Sequence, residues 1–292
     1  MAAAPTDRLG NPLCLMQVHA HPDDEASKGA GTVARYHDAG VRTVLVCCTG
    51  GEAGDVLNPA MDRADVRERL AEIRLEELER SAKIIGYDEV VLLGYHDSGM
   101  PDTEANLRED CFAAVPLDEP IARLVEVIRR ERPQVVITYN DDQQGYPHPD
   151  HIRVHDISVA AYDLAADAAW RPDLGEPHQV AKLYYQMWSR ARMEALHGKM
   201  LELGIESPFD EKWFERPSHD HRLTTRIDVA DHYDVRKQAL LAHATQVDPS
   251  SPFWFGLPDE EARLIHPFDD YVLARSTVEP DLPETDLFAG LD

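Results

Sequence analysis

The sequence predicts an α/β protein, a mostly parallel sheet flanked by helices with a smaller α/β domain at its C-terminal end. Three observations carry that expectation. Apolar runs at 13–18, 42–48, 89–95 and 135–139 are each short enough to be a strand buried on both faces, and each gives way to a polar turn. Helical periodicity fills the intervals between them, as in strand–helix–strand units whose strands lie parallel. Beyond Ala169 the segment WRPDLGEPHQ reads as a linker, and shorter elements resume after it. The expected division is a catalytic domain over 1–169 and a smaller domain or cap over 170–292.

Pro22 bars the first strand from continuing, and a helix-compatible pattern follows from Glu25 to Asp38, with Gly40 as its stop. After the second run, TGGEAGDV forms a glycine-rich turn that lacks the Gly-Lys-Ser/Thr of a phosphate-cradling loop. Val66, Leu70, Ile73, Leu78, Ala82 and Ile85 mark one long helix over 65–85, ended by Gly86, with Arg69 and Arg74 near its apolar stripe. Those arginines read as partners for neighbouring glutamates. Residues 102–117 are irregular. A helix over 121–130 stops before Pro133, and another runs from about Asp150 to Ala169. The C-terminal part is expected to hold strands at 183–187 and 224–229, helices at 190–203 and 231–243, and an edge strand at 271–274. The aromatic cluster at 252–255 reads as a core plug.

Of the 292 residues, 43% are hydrophobic, which rules out general disorder. The net charge of −25, from 54 acidic and 29 basic residues, disfavours nucleic-acid backbones and anionic membranes as partners. Cys14, Cys47, Cys48 and Cys111 include an adjacent pair that points to opposite faces of a strand, so a reduced, cytoplasmic protein is expected. The N-terminal stretch has no signal-peptide pattern, and no apolar run approaches 18 residues.

The chemistry concentrates in two stretches, each directly behind a strand, where open α/β sheets keep their ligands. The first, VHAHPDDEASKGAG at 18–31, sets His21 and Asp24 three residues apart across a tight turn. A nitrogen and a carboxylate oxygen can converge there on one cation, while Asp23 points elsewhere. A divalent metal with few protein ligands lowers the pKa of water to about 7, and a free carboxylate can take that proton. The alternative is a helix start capped by one aspartate, which accounts for neither histidine nor the doubled carboxylate. The second stretch, NDDQQGYPHPDHIRVHD at 140–156, offers Tyr146, His148, Asp150, His151 and His155. His151 belongs both to the i, i+3 pair with His148 and to the i, i+4 pair with His155, so it is chosen as the third ligand. His21, Asp24 and His151 thus form the expected metal set, for Zn²⁺ or alternatively Fe²⁺. Asp23 is the expected general base, with the Tyr146 hydroxyl and His148 assisting the oxyanion and the leaving amine.

The AHPDDE at 20–25 together with GYPHPDH at 145–151 resembles the LmbE-like zinc amidohydrolases, a family of N-deacetylases and amidases with a Rossmann-like core. Within it, ASKGA, TGGE, DCFAAVPL, HATQVDP and ETDLFAGL resemble the mycothiol S-conjugate amidase branch. The resemblance implies the same ligands, base and helpers. It further implies sugar and inositol contacts from Asp55, Arg69 and Asp97, an amidase-type Lys28, and a small-molecule thiol–sugar conjugate as substrate. The implied reaction cleaves the amide of such a conjugate, releasing a mercapturic acid and glucosaminyl inositol. Met100 and Asp55 do not separate this branch from the sibling deacetylase of N-acetylglucosaminyl inositol, and a member trimming mycothiol adducts in antibiotic biosynthesis is a further alternative. A non-catalytic binding module with a fully enclosed structural ion is the rival of a different class.

Overall fold

The structure, a computed structural model, describes residues 4–143 and 145–291, so the first three residues of the N-terminal stretch lie outside it. Seven strands form one mixed sheet. They are β1 (Cys14–His19), β2 (Arg42–Thr49), β3 (Glu89–Tyr95), β4 (Val135–Tyr139), β5 (Lys182–Met187), β6 (Thr225–Asp228) and β7 (Phe268–Ser276). Their spatial order is β3-β2-β1-β4-β5-β7-β6, parallel from β3 to β5, with β7 antiparallel to both its neighbours. Every residue of β1, β4 and β5 is buried, which explains why their sequences carry no polar alternation; the edge strand β3 has a broken pattern.

The helices are α1 (Asp24–Ser27), α2 (Ala30–Asp38), α3 (Ala64–Glu68), α4 (Leu70–Ile85), α5 (Asp118–Glu131), α6 (Pro149–Leu164), α7 (Arg190–Glu202), α8 (Glu211–Glu215), α9 (Tyr233–Ala242), α10 (Pro252–Phe255) and α11 (Asp259–Ile265). One face of the sheet packs on α5 and α6 through Leu124, Val125, Ile128, Val154, Ile157 and Ala161. The other carries α2 and α9 together with the C-terminal residues Leu287, Phe288 and Leu291. The architecture is three layers, helix–sheet–helix.

Several expectations are corrected. The helix over 65–85 is two helices that meet at Arg69 (φ −114°, ψ 18°). The helix over 25–38 is broken at Gly29, whose φ of 85° favours glycine and where an added Cβ would meet the Gln17 side chain at 2.4 Å. The strand at 271–274 is longer and interior, with β6 at the edge instead; pairing order is a tertiary matter that strand composition does not encode. The boundary expected at residue 169 falls between α6 and β5, and the sheet continues across it.

What matters for the site is the point where the strand order reverses. β1 is flanked by β2 and β4, so the turns leaving the C-terminal ends of β1 and β4 diverge to opposite faces and leave a crevice between them. Both chemical stretches begin there.

Candidate active site

The turn after β1 places His21, Asp23 and Asp24 at this crevice, and the segment after β4 returns His148 and His151 at the start of α6. His21, His148 and His151 each offer a ring nitrogen, all within 4.8 Å of one another, and all three residues are buried. Asp24 completes the group. Its Oδ2 lies 3.5 Å from Nδ1 of His21 and 3.5 Å from Nε2 of His151. It also accepts hydrogen bonds from the Tyr139 hydroxyl (2.5 Å) and the His21 amide (3.1 Å), while its Oδ1 accepts from Nζ of Lys28. Burial by itself would raise the Asp24 pKa; Lys28 and His151 outweigh it and hold the carboxyl well below the usual range.

The third histidine differs from the other two. Nδ1 of His148 accepts a hydrogen bond from the Asp150 amide (3.2 Å), capping α6. In a neutral ring the proton must then sit on Nε2, which makes His148 a hydrogen-bond donor. Burial, and then the charge on His21, lower the pKa of His148, and burial takes that of His151 down to about 4, so both rings stay neutral at ordinary pH.

His21 is oriented by carboxylates. Its Nε2 lies 3.2 Å from Oδ2 of Asp150 and 3.4 Å from Oδ1 of Asp97, which leaves Nδ1 facing Asp24 and His151. Burial opposes a charge on this ring, yet the bonds to Asp150, Asp24 and Asp97 raise its pKa well above the ordinary value. The cluster is thus built to hold a positive charge. Two imidazole nitrogens and a carboxylate oxygen, one imidazole backed by a carboxylate, are a donor set that fits a borderline divalent cation. Asp150→Asn removes the orienting charge, and the expected result is a 10- to 100-fold loss of metal affinity, read by chelator competition, with the fold retained by circular dichroism.

Asp23 stands beside this set and does not join it. Its φ of 104° is a left-handed conformation rare outside glycine and asparagine. The amide of Asp23 donates to Oε2 of Glu25 (2.9 Å), whose other oxygen is held by Ser81 and His243 at 2.5 Å each. Its carboxylate accepts from Nη2 of Arg74 (2.8 Å), and that guanidinium is pinned in turn by the carbonyls of Pro22 and Gly51. Gly51 (φ 69°) is required here, because a Cβ would fall 2.4 Å from Cζ of Arg74. Burial, opposed by Arg74, raises the pKa of Asp23, which suits a carboxylate meant to take up a proton.

These groups line a cavity of about 1210 Å³, shared by Lys28, Asp55, Asp97, Tyr146 and an aromatic side formed by Trp188, Trp213, Phe214, Phe253 and Trp254. Tyr146 is largely exposed at 57%, and its ring lies 6.0 Å from that of His148 and 5.5 Å from that of His151. Burial against the cavity raises its pKa, so the hydroxyl remains a donor. Nine of the ten residues singled out from the sequence meet here. Arg69 does not: where α3 gives way to α4 its side chain turns to solvent and pairs with Glu72 at 2.8 Å, and of the two arginines singled out in this stretch it is Arg74, five residues on, that lines the cavity. His155 bonds the Tyr139 carbonyl (3.1 Å) and packs on Tyr185. Sequence reasoning missed Tyr139, which bonds Asp24 and stacks on His151 with ring centroids 4.4 Å apart; its position as the last residue of β4 was the available signal.

Residues 16–162 match the family model PIG-L, GlcNAc-PI de-N-acetylase. The chain belongs to the PIG-L family. Its similarity to curated members spans nearly its whole length: it is 44% identical to the mycothiol S-conjugate amidase of Streptomyces coelicolor over 96% of this chain and 97% of that one. It is 38% identical to the 1D-myo-inositol 2-acetamido-2-deoxy-alpha-D-glucopyranoside deacetylase of Streptomyces scabiei, over 98% and 92%. Among solved structures, the N,N'-diacetylchitobiose deacetylase of Pyrococcus horikoshii shares the fold with a TM-score of 0.62 at 17% identity, covering 89% of this chain and 83% of that one. As a PIG-L member the chain is an amidohydrolase, a deacetylase or amidase. Among the described residues no helix is long and apolar enough to cross a membrane.

Proposed function

We propose that this PIG-L protein hydrolyses the amide of mycothiol S-conjugates with the help of Zn²⁺, yielding a mercapturic acid and glucosaminyl inositol. The observation that carries the choice is the two-sided cavity. A polar side with Lys28, Asp55 and Asp97 suits a constant polyol, and the aromatic side beginning at Trp188 suits varied S-substituents. A site built of hydrogen-bonding groups discriminates sharply, whereas an apolar one tolerates differences of a methylene or more. The 44% identity to the Streptomyces coelicolor amidase supports the same reading.

His21, Asp24 and His151 would hold the metal, which when bound supplies Lewis acidity and lowers the pKa of water. Asp23 takes the proton of the attacking water. The Nε2–H of His148 donates to the developing oxyanion, the proton that Asp23 took from water passes on to the leaving amine, and the Tyr146 hydroxyl reaches in from the mouth. Atoms balance as amide plus water giving carboxylic acid plus amine. Residues 170–292 act as the cap, since the aromatic wall comes from them. A reducing, cytoplasmic setting belongs to this reading, supported by four buried, unpaired cysteines.

A second reading, deacetylation of N-acetylglucosaminyl inositol, is supported by the 38% identity to the Streptomyces scabiei deacetylase over 98% of this chain. Purified protein of known metal content, assayed on both compounds, separates the two. The proposal expects faster turnover of the S-conjugate, abolished by chelator and restored by Zn²⁺. Turnover of the acetylated sugar alone would sink it.

A further inference from the structure

Behind the aromatic wall lies a second cavity, about 80 Å³, that shares Trp188, Met193, Phe253 and Trp254 with the first. It is lined by three arginines, Arg192 from α7, Arg236 from α9 and Arg263 from α11. Nε of Arg236 is sealed from solvent and has no hydrogen-bond partner, and among the described residues no carboxylate pairs with this guanidinium. The Arg192 guanidinium stacks on Trp188 at 5.5 Å and reaches one carboxylate, Oδ1 of Asp269, only at 4.0 Å. Asp269 is itself committed through Oδ2 to the Thr32 amide (3.1 Å) and hydroxyl (2.8 Å).

The other charged groups at this cavity are satisfied. His232 pairs with Asp38 at 3.1 Å, His266 with Asp270 at 2.9 Å, and Arg263 with Asp234 at 2.9 Å. Two guanidiniums thus face one distant carboxylate, leaving an uncompensated positive charge in a chain whose net charge is −25. Arginine does not shed its proton to escape such a site, and an unpaired buried charge is costly. The strain shows at Arg236, where burial and then the charge of Arg192 push the pKa down to about 9. A guanidinium fork is matched in geometry and charge by an oxyanion.

We propose that Arg192 and Arg236 bind a small free oxyanion of the phosphate class, which braces the aromatic wall of the catalytic cavity from behind. The volume admits an ion of a few heavy atoms and excludes the body of a larger phosphate-bearing metabolite. This inference is independent of which amide the enzyme cleaves.

The test is titration of the metal-loaded protein with inorganic phosphate against KCl at equal ionic strength, followed by calorimetry and thermal unfolding. The expected result is saturable binding, with Tm rising by about 2 °C or more at saturation. Arg236→Met should abolish both while leaving phosphate-free turnover within about twofold. If that variant fails to fold, Arg236→Lys carries the test, because it keeps the charge and loses the fork; its phosphate Kd should rise by about tenfold or more. Absence of saturable binding overturns the proposal. So does a response that Arg236→Met retains, which would place the ion elsewhere, or a Kd unchanged in Arg236→Lys.

Discussion

Asp23→Asn is expected to keep its metal and lose about two to four orders of magnitude in turnover, the range that a positioned general base contributes. The replacement tests proton transfer and little else. Asparagine tolerates the left-handed backbone that Asp23 adopts at φ 104°, and its side-chain oxygen can still accept from Nη2 of Arg74. What it loses is the ability to take up a proton. Since His21, Asp24 and His151 form the charge-holding cluster without Asp23, metal content measured by elemental analysis should match that of the unaltered protein. Equal turnover at equal metal content would remove Asp23 from the chemistry.

The largest expected loss of stability lies at the far end of β5. Nζ of Lys182, wholly buried, donates to Oε1 of Glu284 at 2.5 Å, and Oε2 of the same carboxylate accepts from the Tyr184 hydroxyl (2.6 Å) and the Thr225 hydroxyl (3.0 Å). Glu284 thereby ties the C-terminal segment to β5 and β6. Glu284→Ala strands the lysine charge and deprives two hydroxyls of their acceptor, and breaking such a pair costs about 3–5 kcal/mol. Scanning calorimetry should record a fall in Tm of about 10 °C. Specific activity below the transition should be unchanged, because β5 begins at this pair and meets the catalytic cavity only at its other end, through Gln186 and Met187. The double substitution Lys182→Met, Glu284→Met should recover the part of the loss that comes from the stranded charge, leaving the smaller cost of the two hydroxyls that lose their acceptor. A fall below about 1 kcal/mol for Glu284→Ala would show that water reaches the lysine.

The interior strands β1, β2 and β4 were legible because they are buried on both faces, so burial writes itself into composition as an unbroken apolar run, and the edge strand β3 carries such a run although it is only partly buried. The runs at 89–95 and 135–139 match β3 and β4 residue for residue. Helix continuity was not legible in the same way. Periodicity at 65–85 and 25–38 persists across the breaks at Arg69 and Gly29, and at the latter the close neighbour lies 12 residues upstream, where the Gln17 side chain would meet an added Cβ at 2.4 Å. The two basic residues of the long helix show the same limit. Arg69 and Arg74 look alike in sequence, and only the break between α3 and α4 decides that the second enters the cavity and the first faces solvent.

The amino-acid sequence by itself determined which residue types are available at the crevice, and hence the class of chemistry: a histidine and two aspartates behind one strand, and a cluster of histidines behind another, are local patterns that need no partner to be read. The tertiary structure alone decided how those side chains divide the work. Which nitrogen of His148 carries the proton depends on the turn of α6, which way His21 faces depends on Asp150 from 129 residues away, and whether Arg192 and Arg236 find an anion of their own depends on how α7 and α9 pack. Proton placement and charge pairing are set by atoms within a few ångströms in space, and distance along the chain carries no record of that.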